Sequence, residues 1–132
     1  HGLGATAILV RVVVPAPPVG ASWGYEKLKI TEGAYSSATA AVMLDTGSGG
    51  KITHLRLAVG AAGERPQDMT AAVAPLVGGA WTPQAETRLE TLVCAAVRDP
   101  LDDQRGPADY RRAMAGVIAR RAVTAALARR QH

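Results

Sequence analysis

The stretch that decides the fold is DPLDDQRGPADYRRAMAGVIARRA, residues 99–122, in which acidic residues and an arginine lead directly into a helical pattern. Proline is common in the first turn of a helix, and Pro107 stands where this pattern begins. Apolar residues then recur at helical spacing up to about Arg129, with the arginines on the opposite side. We therefore predict a long helix whose inward stripe contains Tyr110, Met114, Val117, Ile118 and Ala125.

The acidic residues before this helix permit two interpretations. A carboxylate of Asp102 or Asp103 can pair with Arg105 and close a tight turn whose backbone groups would otherwise lack partners. The same charges could instead lie in solvent and dock a partner. We favour the turn, because Asp109 in the first turn of the helix also suits the helix dipole and so has a structural explanation.

Two shorter helices are indicated before residue 99. The first begins at Pro66 and ends at two glycines, and its apolar stripe is Met69, Val73, Leu76 and Val77. The second begins with Thr82 as its cap and Pro83 in its first turn, and it stops at Asp99. Its stripe is Leu89, Leu92, Val93, Ala96 and Val97.

The first half of the chain has the pattern of strands. Residues 5–14, ATAILVRVVV, are rich in β-branched residues and end at PAPP, and residues 23–30, WGYEKLKI, indicate a second strand. Two more strands flank the turn TGSGGK, residues 46–51. In the later of these, Thr53, Leu55, Leu57 and Val59 share one face, and Ile52, His54, Arg56 and Ala58 share the other.

Strands followed by helices predict an α+β fold. We expect an antiparallel sheet of three to four strands packed against a three-helix bundle. The 132 residues suit one domain, and a composition of 48% apolar and 20% charged residues is that of a globular protein. Aromatic residues make up only 4% of the chain, so we expect an alanine-rich core with closely packed helices.

Charge and hydropathy argue against two classes of partner. The net charge is +4, but the cations are mixed with acids and are not interleaved with aromatic residues, so nucleic acid is not expected. No segment approaches the roughly 18 apolar residues of a membrane span. We expect a cytoplasmic protein that binds neither nucleic acid nor membrane.

Candidate catalytic and metal-binding groups do not form a recognisable site. His1, His54 and His132 are far apart in the sequence, which gives little support to a metal centre. Cys94 lies in the apolar run LETLVCAAV and is expected to be a small buried residue. The glycines at 47–50 precede a strand, so they indicate a hairpin and not a phosphate-binding loop. We predict no catalytic residue and no metal ligand.

The order of these motifs resembles the C-terminal domain of the FAD-binding (medium) subunit of molybdenum hydroxylases, the family of carbon monoxide dehydrogenase and xanthine dehydrogenase flavoproteins. The specific part is the 99–122 block. It resembles the family's D-P-x-x-D-x-R-x-S-x-x-Y-R signature, followed by a closing helix, at Asp99, Pro100, Asp103, Arg105, Tyr110 and Arg111. The weaker motifs are PAPP at 15–18, Tyr25 with Lys27, Gly33 with Tyr35, the glycines at 47–50 and the turn at 60–66. The sequence departs from the family at Ile30, where a basic residue is usual, and at residues 67–69, where an arginine is usual.

The resemblance implies a function and a set of partners. Residues 1–20 would be a strand and proline-rich linker from a preceding flavin domain, and residues 21–132 the C-terminal-like domain. That domain would support FAD placement and subunit packing for electron transfer from iron–sulfur clusters to FAD, beside iron–sulfur and molybdopterin subunits. Tyr25, Lys27 and Lys29 are the candidate cofactor-binding residues, and Lys27 is the strongest because a cation favours the anionic reduced ring.

Two further expectations follow from the family's pyrophosphate-binding domain, which precedes this region in flavoproteins and is not in this sequence. The chain would bind no FAD by itself and would not be catalytic alone. Its first strand, left without its usual cover, would join the chain's own sheet or pair with a second copy to form a homodimer. The alternative function is a stand-alone, non-catalytic protein-interaction module that keeps the fold without the cofactor.

Overall fold

A hairpin of two nine-residue strands forms the centre of the computed structural model, which describes residues 4–130. The sheet is antiparallel with the order β1-β2-β3-β4, and the helices lie against one of its faces. This arrangement confirms the predicted α+β fold. The strands are β1 (Ser22–Leu28), β2 (Ala38–Thr46), β3 (Ile52–Gly60) and β4 (Gln67–Asp68), and the helices are α1 (Thr70–Val73), α2 (Pro83–Ala96) and α3 (Ala108–Arg129).

The predicted hairpin turn is confirmed, but the faces of β3 differ from the expectation at its start. Gly49 and Gly50 both take positive φ in the turn, which glycine adopts at little cost. The register then shifts, because Asp45 opposes His54 whereas Thr46 opposes Ile52. The extra residue, Thr53, is a bulge that turns Ile52 onto the buried face, where its exposure is 0%.

Helix α3 packs across β1 and β2 at very short range. A Cβ atom placed on Gly24 would lie 1.9 Å from the carbonyl oxygen of Ala122, so only glycine fits in β1 at this point. The expected alanine-rich packing is present, since the buried residues of α3 include Ala115, Ala119, Ala122 and Ala126. Small side chains therefore let the helix backbone approach the sheet.

The far end of α3 is tied to the start of the sheet by Arg130. Its guanidinium donates to the carbonyl of Gly20 at 3.0 Å and to that of Thr46 at 2.5 Å, and it forms an ion pair with Asp45. This contact lowers the pKa of the Asp45 carboxyl, chiefly through the hydrogen bond from Arg130. The entry into β1 and the end of α3 therefore lie side by side.

The start of α3 differs from the predicted inward stripe. Tyr110 is 41% exposed, whereas the next residue, Arg111, is only 1% exposed. Its Nη1 atom donates to the carbonyl oxygens of Ala61 at 2.6 Å and Ser37 at 3.2 Å. Its Nε donates to the carbonyl of Gly106 at 3.2 Å, and Nη2 pairs with a carboxylate oxygen of Asp103. The N-terminal end of α3 thus contains a buried cation, Arg111.

The turn before α3 is therefore braced by charge, as expected, but by a different arginine. Arg105 was predicted to pair with Asp102 or Asp103, and its Nη1 does lie 3.5 Å from Asp103. However, the side chain of Arg105 is 48% exposed, so water screens this pair. Arg111 is the residue that closes the turn, because its guanidinium is directed at the end of the sheet, where carbonyl acceptors converge.

The segment from Pro66 is less helical than predicted. Gln67 and Asp68 pair with β3 as β4, and α1 begins only at Thr70. It gives way to a 3₁₀ turn, Ala74–Leu76, in which Pro75 has no N–H to extend an α-helix. The predicted start of α2 is confirmed, since the Thr82 hydroxyl accepts a hydrogen bond from the amide of Ala85.

The predicted first strand, residues 5–14, is not formed. Ile8 is 85% exposed, Val10 92% and Val14 82%, and no described strand lies beside them. A β-strand needs ladder hydrogen bonds from a neighbouring strand, and this exposed segment has no such neighbour within the described structure. It therefore did not join the chain's own sheet, and a turn at Pro18 leads it into β1.

We expect Arg111→Ala to lower the free energy of unfolding by about 3–5 kcal/mol, because Asp103 and three carbonyls would lose a buried partner. The matched variant Arg105→Ala should lower it by less than about 1 kcal/mol, as expected for an exposed ion pair. Urea unfolding followed by circular dichroism measures both. Equal losses in the two variants would contradict the role given to Arg111.

Candidate functional site

Three loop segments meet at the end of the sheet and, together with Lys27 of β1 and Arg111 of α3, enclose a groove of about 300 Å³. The first is the loop before β2, the second follows β3 at residues 61–66, and the third is the turn at 101–106. We call this feature the basic groove. The lining residues that matter for its chemistry are Lys27, Tyr35, Glu64, Arg65, Leu101 and Arg105.

Backbone contacts fix the second and third segments against each other. The amide of Leu101 donates to the carbonyl of Ala62 at 2.8 Å. The Gln67 side chain bonds to both backbone polar groups of Arg98. Its Nε2 donates to the Arg98 carbonyl oxygen at 2.7 Å, and the Arg98 amide donates to its Oε1 at 2.9 Å. Ala61 has φ of 62°, a left-handed conformation that is unusual for a residue other than glycine. These contacts therefore hold the second and third segments together.

One wall of the basic groove presents a cation above an aromatic ring. The guanidinium carbon of Arg105 lies 5.0 Å from the centre of the Tyr35 ring, within the range of a cation–π contact. The Arg105 carbonyl accepts a hydrogen bond from the Ser37 hydroxyl at 2.7 Å, and its amide donates to Asp103 at 2.7 Å. The amide and the carbonyl of Arg105 are therefore both hydrogen-bonded, which directs its side chain toward Tyr35.

The three predicted cofactor-binding residues are separated by the structure. Lys27 lines the basic groove. Tyr25 lies two residues earlier on the same open face of β1 and is 51% exposed, outside the groove. Lys29 follows the end of β1 and pairs with Glu32 at 2.8 Å, a contact that lowers the pKa of the Glu32 carboxyl.

Sequence reasoning missed most of the groove. Tyr35 was noted only as the aromatic residue of a motif, and Arg105 only as a brace for a turn. Arg65 was assigned no role. No local pattern joins residues so far apart in the chain, although an aromatic residue in a glycine-containing loop beside a cationic strand was a usable signal.

The charge of the basic groove is predominantly positive. Four cations, Lys27, Arg65, Arg105 and Arg111, line it, and Glu64 is the one acid among the lining residues. Asp103 lies nearby, and its pKa is below the ordinary value, chiefly because the Arg105 amide donates to it and further because Arg111 does. An anionic or electron-rich planar group would be stabilised here, since cations and an aromatic ring are combined.

Cys94 and His54, the other candidate groups among the described residues, do not line the basic groove. Cys94 is partly buried, and this burial raises the pKa of its thiol, which donates to the carbonyl of Arg112 at 3.4 Å. A thiol of this kind is a poor nucleophile. His54 opposes Asp45 across β2 and β3, while His1 and His132 lie outside the described residues. Among residues 4–130 there is no group of three or more His, Cys, Asp or Glu residues that could hold a metal ion.

The model of the CO dehydrogenase flavoprotein C-terminal domain family matches residues 23–126, which is most of the chain and includes every residue that lines the groove. The chain belongs to this family. The match confirms the resemblance inferred from the 99–122 block. It also gives no support to the alternative of a stand-alone interaction module.

Curated relatives of this CO dehydrogenase flavoprotein C-terminal domain are medium chains of oxidoreductases. The chain is 41% identical over 122 residues to the carbon monoxide dehydrogenase medium chain of Afipia carboxidovorans, covering 92% of the chain and 42% of the relative. It is 33% identical over 128 residues to the nicotine 6-hydroxylase medium subunit of Paenarthrobacter nicotinovorans, covering 96% and 44%. The chain thus spans about two fifths of the length of these relatives.

Solved structures agree with this assignment. Reconstituted CO dehydrogenase from Oligotropha carboxidovorans matches with a TM-score of 0.80 and 41% identity over 88% of this chain and 40% of that one. Quinoline 2-oxidoreductase from Pseudomonas putida 86 matches with a TM-score of 0.78 and 25% identity over 90% and 40%. In the described part of this domain, no helix is both long and apolar enough to cross a membrane.

The low pKa of Asp103 predicts a specific pH dependence. Its carboxylate stabilises the fold fully above the ordinary value of 3.8, and this contribution is lost as the pH falls through the lower pKa of the folded state. Asp103→Asn should therefore flatten the fall in stability as the pH drops below about 4. Urea midpoints measured against pH test this, with Asp102→Asn as the neighbouring control. A profile for Asp103→Asn that matches the wild type would refute the assignment.

Proposed function

We propose that this chain is the C-terminal domain of a flavoprotein subunit of a molybdenum hydroxylase. Within that subunit it would help to place FAD and would pack against partner subunits during electron transfer from iron–sulfur clusters to FAD. The observation that carries the proposal is the basic groove of a domain of this family, which is lined by Lys27, Arg65 and Arg105 and in which Arg105 lies over the Tyr35 ring.

The groove residues suit a flavin ring in charge. FAD supplies the electron transfer itself, and the protein contributes placement and electrostatics. Lys27, Arg65 and Arg105 would favour the negative charge that the ring carries when reduced, and Tyr35 would offer an aromatic face beside it. The basic groove would act as a wall of the site and not as a source of catalytic groups.

The exposed apolar surface supports packing against other subunits. Trp23 and Tyr25 lie on the face of the sheet opposite the helices and are 58% and 51% exposed. We propose iron–sulfur and molybdopterin subunits as partners in a cytoplasmic complex. Pairing with a second copy of this chain is also proposed, because the apolar side chains of residues 8–14 are 64–92% exposed in the monomer.

We expect Lys27→Gln, made in the flavoprotein subunit that carries this domain, to lower the midpoint potential of the flavin by roughly 20–50 mV, where about 30 mV corresponds to about 1.4 kcal/mol. The reason is that loss of the cation destabilises the anionic reduced ring. A spectroelectrochemical titration measures the potential. Lys51→Gln, at the hairpin end of the sheet, is the control, and an equal shift in both variants would argue against the proposal.

We also expect the 132-residue chain to retain no FAD by itself. Most of the binding energy of a dinucleotide comes from contacts with its pyrophosphate, and the glycines at 47–50 form a hairpin turn that leads into a strand, unlike a phosphate-binding loop. Gel filtration after incubation with FAD, followed by visible absorbance, measures retention. A yellow protein with stoichiometric flavin would disprove this expectation.

A further inference from the structure

We propose that Arg111, which itself lines the basic groove, is its positioning residue, because its one guanidinium contacts the three loop segments that meet there. Its Nη1 donates to Ser37 in the first segment and to Ala61 in the second. Its Nε and Nη2 bond to Gly106 and Asp103 in the third. A planar group with fixed donor directions therefore sets the relative positions of the three walls.

The contacts of Arg111 extend directly to the residues exposed in the groove. The Asp103 oxygen that pairs with Arg111 also accepts the amide hydrogen of Arg105 at 2.7 Å. Ser37, whose carbonyl accepts from Arg111, donates its hydroxyl to the carbonyl of Arg105 at 2.7 Å. Arg111 thereby orders both groups that hold Arg105 above Tyr35.

The second wall depends on Arg111 in a different way. The carbonyl of Ala61 accepts from Arg111 at 2.6 Å, and Ala61 has a left-handed φ of 62° that is unfavourable for alanine. Arg65 projects from the same segment into the groove. Without the hydrogen bond from Arg111, Ala61 could leave its left-handed conformation and the segment 61–66 would shift. The position of Arg65 therefore also depends on Arg111.

Arg111→Lys separates positioning from simple filling of space. Lysine keeps the charge and an aliphatic stem, but it is a point charge without the rigid set of five N–H donors of arginine. It can satisfy Asp103 without reaching Ser37, Ala61 and Gly106 together. Asp103→Asn is the second variant, because it weakens the hold on both arginines and leaves Arg111 in place.

The test uses ¹⁹F NMR of the 132-residue chain labelled with fluorotyrosine. The chain has three tyrosines, Tyr25, Tyr35 and Tyr110, whose signals are assigned by single Tyr→Phe changes. In Arg111→Lys the Tyr35 signal should move toward its position in urea, and in Asp103→Asn it should move in the same direction by less. The Tyr25 signal should stay unchanged, because Tyr25 lies outside the groove.

Arg120→Lys is the matched control, since Arg120 pairs with Glu90 at 2.5 Å between α2 and α3 and lines no wall of the groove. It should leave the Tyr35 signal in place. An unmoved Tyr35 signal in folded Arg111→Lys and Asp103→Asn would overturn the positioning role. So would equal movement of the Tyr25 and Tyr35 signals, because that result indicates general loosening of the fold.

A second measurement connects the groove to the flavin, and this arm rests on the proposed function. In the flavoprotein subunit, Arg111→Lys should shift the flavin midpoint potential in the same direction as Arg105→Gln. Both shifts together support the positioning role in its proposed setting. A displaced Tyr35 signal with no change in potential supports the positioning role and counts against the proposed function.

Discussion

Burial of a single cation organises this domain. Removing the Arg111 guanidinium from water is costly, and the cost is offset only because one carboxylate and three carbonyl oxygens surround it. Those acceptors belong to three loop segments, which also contact each other through the Ser37 hydroxyl with the Arg105 carbonyl and the Leu101 amide with the Ala62 carbonyl. The same interaction therefore closes the turn before α3, fixes the loop before β2 and sets the conformation after β3.

The two ends of the sheet differ in how they are held. At the hairpin end, Arg130 is 31% exposed and contacts the surface of the fold, whereas Arg111 at the other end is fully buried. Between them, α3 lies on β1 and β2 through alanine and glycine, with little side-chain volume to absorb movement. A rigid helix with an arginine at each end thus connects the basic groove to the rest of the domain.

Local features of the sequence predicted local structure well. The hairpin turn, the Thr82 cap and the extent of α3 depend on residues that are neighbours in the chain, and all three were correct. The strand predicted at residues 5–14 was wrong for the opposite reason. β-branched composition favours extended backbone, but a strand also needs a neighbouring strand. The bulge at Thr53 could likewise not be predicted from the sequence, because the alternation of residues along one strand contains no information about its register with the neighbouring strand.

The candidate site was predicted only in part for a related reason. Lys27 was recognised from its motif and lies in the groove, whereas Arg111 is one of two adjacent arginines and looks like a surface residue in a basic helix. Only the tertiary structure shows that four acceptors converge on Arg111 while Arg112 faces Asp109 at the surface. Burial of a charge is decided by the acceptors around it, which come from residues as far as 74 positions away in the chain.

The Arg130 contact also has a topological consequence. Because its guanidinium bonds to the carbonyl of Gly20, residues 20 and 130 are neighbours in space although they enclose the whole domain. A folded unit whose two ends lie close together can be inserted into a loop of a host protein, or circularly permuted with a short connection. The glycine-rich tip at 47–50, exposed at the same end of the sheet, offers the natural place for new termini.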